Sequence, residues 1–110
     1  MAVVSNLAID QGTTYSVTIT VTDDTGSARN LTNYIPRAQM RRSYYTSANT
    51  AFAANVLNPS EGTITLDLTA TQTSALKAGR YVYDLELVSN TLTVERIVEG
   101  IVTIYPEATK

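Results

Sequence analysis

The chain has no cysteine, no histidine and no tryptophan. Without cysteine there is no disulfide framework, no thiolate metal site and no cysteine nucleophile. Without histidine the commonest general base, the commonest zinc ligand and the side chain that changes charge near neutral pH are all missing. Lysine is confined to Lys77 and Lys110, so the many Ser and Thr hydroxyls have no base placed to activate them as nucleophiles. These absences predict a protein that is not an enzyme and holds no cofactor or metal. No apolar run is long enough to cross a bilayer. The first residues lack the basic-then-apolar form of a secretory leader, which predicts synthesis in a cytoplasm without a membrane partner.

What is present is apolar, hydroxylated and sparsely charged. Of 110 residues, 44 % are apolar and 16 % charged, a length and balance that suit one domain with one core. The expectation is a single unit over residues 1–110, with 1–5 and 107–110 as loose ends. Thr, Val and Ile recur, which favours strands because branched side chains fit a pleated surface.

Alternation then places the strands. Tyr15, Val17, Ile19 and Val21 alternate with Ser16, Thr18, Thr20 and Thr22, so residues 15–22 read as a strand with one apolar face and one uncharged hydroxyl face. Tyr81, Tyr83, Leu85 and Leu87 alternate in the same way around Asp84 and Glu86, and this stretch is the centre of the predicted core. Further strands are predicted at 6–9, at 35–42 with Ala38 and Met40 inward, at 51–57 with Phe52, Ala54 and Val56 in register, and at 63–68. The last strand takes in Leu92, Val94, Arg96 and Val98, with a bulge or bend at Gly100 before Val102 and Ile104. Pro36 has no amide hydrogen to give, which places the start of its strand at an edge or before pairing begins.

Turns separate them. Asp23-Asp24-Thr25-Gly26, Asn58-Pro59-Ser60-Glu61-Gly62 and Ser89-Asn90-Thr91 all carry residues that favour tight reversals. Leu31 and Tyr34 are expected to anchor the loop before residue 35. Thr69-x-x-Gln72 has the form of a capping box, predicting a short helical turn near residues 70–78, docked by Leu76 and closed by Gly79. About seven short strands with one helical turn define an all-β protein, a two-sheet antiparallel sandwich.

Three constellations invite a functional reading. Asp84 and Glu86, with Glu95 on the next strand, have the chemistry of a calcium site or a glycosidase pair, although alternating acids are also what the wet face of a hairpin carries. Asp10 and Asp23-Asp24 resemble pieces of a calcium loop, but the spacing is too short and turn formation accounts for them. Arg37, Gln39, Arg41, Arg42, Tyr44 and Tyr45 form the third. Arginine interleaved with tyrosine suits a protein interface, a single-stranded nucleic acid or an ordinary solvated strand. The chain's pI near 4.9 speaks against nucleic acid. Residues 35–60 hold three arginines and no acid, and residues 61–110 hold seven acids and four bases. That asymmetry predicts opposed patches for docking on a neighbour.

Asp10-Gln11-Gly12 before an alternating strand, Asp24-Thr25-Gly26, Asn30-Leu31-Thr32-Asn33-Tyr34, Gln39-Met40-Arg41, and Leu68-Thr69 to Gly79-Arg80-Tyr81-Val82-Tyr83-Asp84 form a pattern over about Leu7 to Pro106. It resembles small immunoglobulin-like virion proteins of tailed bacteriophages, and is similar to the N-terminal domain of phage upper baseplate proteins. The ending Val98-Glu99-Gly100-Ile101-Val102-Thr103-Ile104 also fits the last strand of such domains. The resemblance implies an immunoglobulin-like sandwich and a non-enzymatic accessory module docked in many copies on a particle, at the head surface, neck, tail or baseplate. Its partners would be other virion proteins and further copies of itself. It marks turns and core positions and carries over no binding residue. The alternative is a module whose loops recognise a host-surface carbohydrate or protein.

Overall fold

The computed structural model describes residues 3–23 and 25–109. Two sheets face one another. The larger joins β1 (Val3–Val4), β2 (Leu7–Asp10), β4 (Ile35–Arg41), β5 (Thr50–Ala51), β8 (Gly79–Val88) and β9 (Val94–Tyr105), in the order β1-β9-β8-β4-β5 with β2 also on β9. The smaller is β3 (Tyr15–Thr20), β7 (Thr63–Leu68) and β6 (Ala53–Asn58), in the order β3-β7-β6. The protein is an all-β sandwich, and the chain crosses between the sheets at β2–β3, β3–β4, β5–β6 and β7–β8.

The alternations seen in the sequence set the core. Tyr83, Leu85 and Leu87 from β8, Ala38 and Met40 from β4, Ile64, Leu66 and Leu68 from β7, and Ile9, Val102 and Ile104 are all buried. Phe52 meets Tyr83 edge to face with ring centres 6.1 Å apart, a favoured aromatic geometry. Leu31 is buried and Tyr34 packs partly against the same core, as anchors of the loop before β4.

Local chemistry explains the ends of the elements. Thr69 accepts from the Gln72 amide at 3.2 Å and Gln72 reaches back to the Thr69 amide at 2.9 Å, so the capping box forms. The helix, α1, is only Ala70–Ser74, shorter than residues 70–78. Leu76 is buried after it, and Gly79, at φ +133°, opens β8. Asn58 caps a single 3-10 turn over Pro59–Glu61, and Gly62 leaves it in the left-handed region at φ +68°. At the start of β4, the Ala38 carbonyl takes the Phe52 amide at 3.0 Å. Pro36, two residues earlier, therefore turns its missing donor to the same side, beyond the reach of β5, which pairs only Gln39 and Met40.

Three expectations need correction. The bulge in β9 falls at Ile97: Leu85 pairs with Val98 and Glu86 with Arg96, so Ile97 is the extra residue and both it and Val98 are buried. Gly100 pairs regularly with Tyr83, and the requirement there is close approach. A Cβ at Gly100 would collide with the Ser5 carbonyl. Leu92 belongs to the hairpin turn, at φ +64° and 80 % exposed, and the strand starts at Val94. The N-terminal segment is bound rather than loose, and it breaks the antiparallel rule. β1 and β2 run parallel to β9, the Ser5 amide donates to the Glu99 carbonyl at 2.9 Å, and the Tyr83 hydroxyl donates to the Ser5 carbonyl. At the other end, the Glu107 amide donates to Gln11 at 3.2 Å. Residues 1, 2 and 110 of the predicted loose ends, and Asp24 of the predicted turn, lie outside the described residues.

Candidate functional site

β4 sends Arg37, Gln39 and Arg41 to the outer face of the larger sheet, beside β8. The acids on that face come from β8 and β9, because Arg37 pairs with Glu86 and Gln39 with Asp84 in register, and Asp84 with Glu99. Arg37 Nε donates to Glu86 Oε1 at 2.8 Å, and Arg96 Nε lies 3.4 Å from Asp84 Oδ2. Arg37 and Arg41 of the middle of the chain thus share one face with Asp84, Glu86 and Glu99 of its second half. This corrects the expectation of opposed patches: segments separate in sequence become neighbours in the sheet and neutralise each other. Asp84 is held above the usual carboxylate range, by partial burial first and by the neighbouring Glu86 charge second.

Glu95 takes no part in this lattice. It receives a two-pronged bond from Arg29, at 2.8 and 2.9 Å, and this holds its carboxyl below the usual range. The Arg29 guanidinium also lies over the Tyr34 ring, 5.1 Å from its centre. The three acids Asp84, Glu86 and Glu95 are therefore not assembled as a unit, and no three acidic side chains among the described residues converge as metal ligands. Asp23 is consumed locally, accepting from the amide and hydroxyl of Thr25 and the amide of Ser27, the bonding of an Asx turn.

Of the six candidate interface residues, the structure brings four to one place. Arg41 reaches along the loop that follows β4 and donates to the carbonyls of Thr46 and Ser47 at 2.7 and 2.9 Å, and to Gln39 Oε1 at 3.1 Å. Residues 43–46 close a tight turn, with the Thr46 amide on the Ser43 carbonyl at 3.2 Å and the two hydroxyls 3.0 Å apart. Tyr44 and Tyr45 are the two central residues of that turn. Tyr44 leans over a shallow depression shared with Gln39, Arg41, Asp84, Glu86 and Arg96, and Tyr45 is 99 % exposed.

The other two residues stand apart. Arg37 is engaged with Glu86. Arg42 points to the opposite side from Arg41, as strand alternation requires. Its guanidinium lies over the Tyr81 ring at 4.9 Å and donates to the Arg80 carbonyl at 3.3 Å. There it fills the space beside Gly79 and braces the start of β8.

Sequence reasoning missed Arg29 and a cleft beside it. The cleft, of about 700 Å³, opens between the free edge of β3 and the edge of the larger sheet, with Val3, Leu7, Val17, Ile19, Ile97 and Val98 on its walls. One signal for it was legible: β3 carries no charge on either face. Nothing local marks Arg29, whose partner lies 66 residues away.

No family model matches the chain, and no curated protein matches it. Among solved structures, the chain is similar to an internalin-like protein of Listeria monocytogenes, lmo2027, at 15 % identity and a TM-score of 0.48. The similarity covers 94 % of this chain and 28 % of that one.

Proposed function

We propose that the protein is a non-enzymatic structural module of a tailed-phage virion, docked in multiple copies on the particle through protein contacts. The carrying observation is Tyr45, wholly exposed at the tip of a turn that Arg41, Ser43 and Thr46 brace from behind. An aromatic ring presented to water at the tip of a hydrogen-bonded turn suits an anchor: it brings large apolar area to an interface and, with only two side-chain torsions, has little conformational freedom to lose on docking. Tyr44 widens the anchor, and the balanced charges on the adjoining strands supply a polar rim. The resemblance to small immunoglobulin-like virion proteins supports the particle as the setting. On this reading the module is made in the host bacterial cytoplasm and ends in the virion, bound to capsid, tail or baseplate subunits.

The test is incorporation. Tyr45→Ala removes an exposed ring, so the variant folds as the parent does, and particles made with it should carry at least about ten-fold less of the chain, as for an anchor worth about 2 kcal/mol. Unchanged incorporation would refute the role of this turn. The same ring also suits stacking on a sugar, the chemistry of the host-surface reading. Glycan-array binding by the isolated chain, lost in Tyr45→Ala, would favour that reading instead.

A further inference from the structure

The smaller sheet has an edge that nothing among the described residues covers. β3 pairs with β7 on one side only. The Val21 amide donates to the Gly62 carbonyl on the β7 side at 2.7 Å, so alternation turns the backbone of Tyr15, Val17 and Ile19 toward β7. The amides and carbonyls of Ser16, Thr18 and Thr20 then face outward.

Exposed strand edges are normally guarded by shortness, charge, proline or a bulge. β1 and β5 have two residues each, β2 ends on Asp10, and β6 is irregular between Val56 and Asn58. β3 has six residues, regular pairing and none of these guards. Its inward side chains are also incompletely covered. Val17 and Ile19 are only partly buried on the wall of the cleft, and Val3 across from them is 66 % exposed.

We infer that β3 is a self-pairing edge, joining antiparallel to β3 of a second copy about a two-fold axis at Thr18. The occupant is a second copy because the strand is complementary to itself in charge, register and side-chain type. Outward-facing backbone groups at even positions make Thr18 opposite Thr18 and Ser16 opposite Thr20 the hydrogen-bonded pairs. That register sets Val17 against Ile19 on the cleft side and hydroxyl against hydroxyl on the other. No charged residue lies between Gly12 and Asp23, so no like charges meet, and the two Asp23 ends fall at opposite ends of the joint. Two three-stranded sheets become one of six strands, and the cleft is covered from the side.

A strand about 20 Å long buries less than a standard interface, so the dimer has a Kd of about 10–100 μM and gains strength on a lattice where copies are held close. The edge lies on a different sheet from the Tyr45 turn, so each can fail without the other.

Sedimentation velocity of the whole chain from about 1 μM to 1 mM tests it, with Thr18→Lys and Thr18→Glu as variants. Thr18 is exposed, and circular dichroism checks that both variants keep the fold. The wild type should dimerise. Each variant alone should dimerise at least about ten-fold more weakly, because two like charges meet at the axis. An equimolar mixture of the two should regain dimers, Lys opposite Glu. A wild type that stays monomeric at the highest concentration would overturn the proposal and leave the edge to another chain's strand. Variants that dimerise like the wild type, or a mixture that stays monomeric, would overturn it too.

Discussion

Replacing Gly100 with alanine asks whether the N-terminal segment is pinned to β9 by close backbone approach. The added Cβ would collide with the Ser5 carbonyl oxygen, lie 2.9 Å from the Ser5 carbonyl carbon and 3.0 Å from Asn6 Oδ1. Backbone cannot yield as a side-chain tip does, so residues 5 and 6 must move. Three hydrogen bonds depend on their position: Ser5 amide to Glu99 carbonyl at 2.9 Å, Ile101 amide to Asn6 Oδ1 at 3.0 Å, and Tyr83 hydroxyl to Ser5 carbonyl. Overpacking costs about 1–3 kcal/mol and each bond lost about 1 kcal/mol. Against this, removing a glycine from the unfolded chain returns about 0.5–1 kcal/mol, since Gly100 does not need a positive φ. The expected net loss is about 3 kcal/mol, a fall of roughly 10–20 °C in Tm for a domain of this size. Urea denaturation followed by far-UV circular dichroism measures it. Tyr83→Phe, which removes only the hydroxyl, should cost about 1 kcal/mol in the parent and little in the Gly100→Ala background, where its partner has already moved. A Gly100→Ala protein as stable as the parent would refute the reasoning, because a freely accessible bend would tolerate the methyl group.

Gly62→Ala should be worse, by more than about 3 kcal/mol: the residue sits at φ +68° and its Cβ would lie 2.5 Å from the Val21 carbonyl and 2.7 Å from the Arg29 carbonyl. Urea titration against the parent decides it. Tyr83→Asp would put a carboxylate into a site 1 % exposed and should leave the chain unfolded by circular dichroism; a folded product would show the core register wrong. Glu95, held low by Arg29, contributes stability above the unfolded carboxylate range near pH 4.3 and loses it as pH falls through the lower folded value. Glu95→Gln should therefore flatten the acid limb of a stability–pH curve, and an unchanged limb would contradict the pairing. Asp84, held high by burial and by Glu86, behaves oppositely. Its contribution is complete below about pH 3.9 and is lost as pH rises through the folded value, so Asp84→Asn should be slightly stabilising near pH 7 and neutral near pH 3 in the same measurements.

How far the sequence foretold this structure depended on the range of the interaction. β3, β7 and β8 are strands in which each face repeats every second residue, and such a pattern needs no knowledge of neighbours. The capping box of Thr69 and Gln72 is equally local. Ile97 was concealed because Val94, Arg96 and Val98 continue an unbroken alternation in sequence, and only the pairing with β8 shows that one residue must be extra. β1 is concealed because two residues have no period, and the parallel pairing of β1 and β2 is concealed because their partner is β9 at the other end of the chain. The same limit applied to the site. Arg41, Gln39, Tyr44 and Tyr45 are close in sequence and meet in space. Arg42 was miscounted with them because alternation sends it to the other side. The acid that pairs with Arg37 is Glu86 of β8, 49 residues away, and nothing local in the sequence marks that approach.

The proposed role requires this chain to be part of a particle. Quantitative mass spectrometry of purified virions, comparing the wild-type chain with Tyr45→Ala and using the major capsid protein as the internal standard, measures it. A fixed ratio of the wild-type chain to the capsid protein, sharply reduced by the substitution, is the predicted result. Absence of the wild-type chain from the particles, or equal incorporation of both proteins, would contradict it.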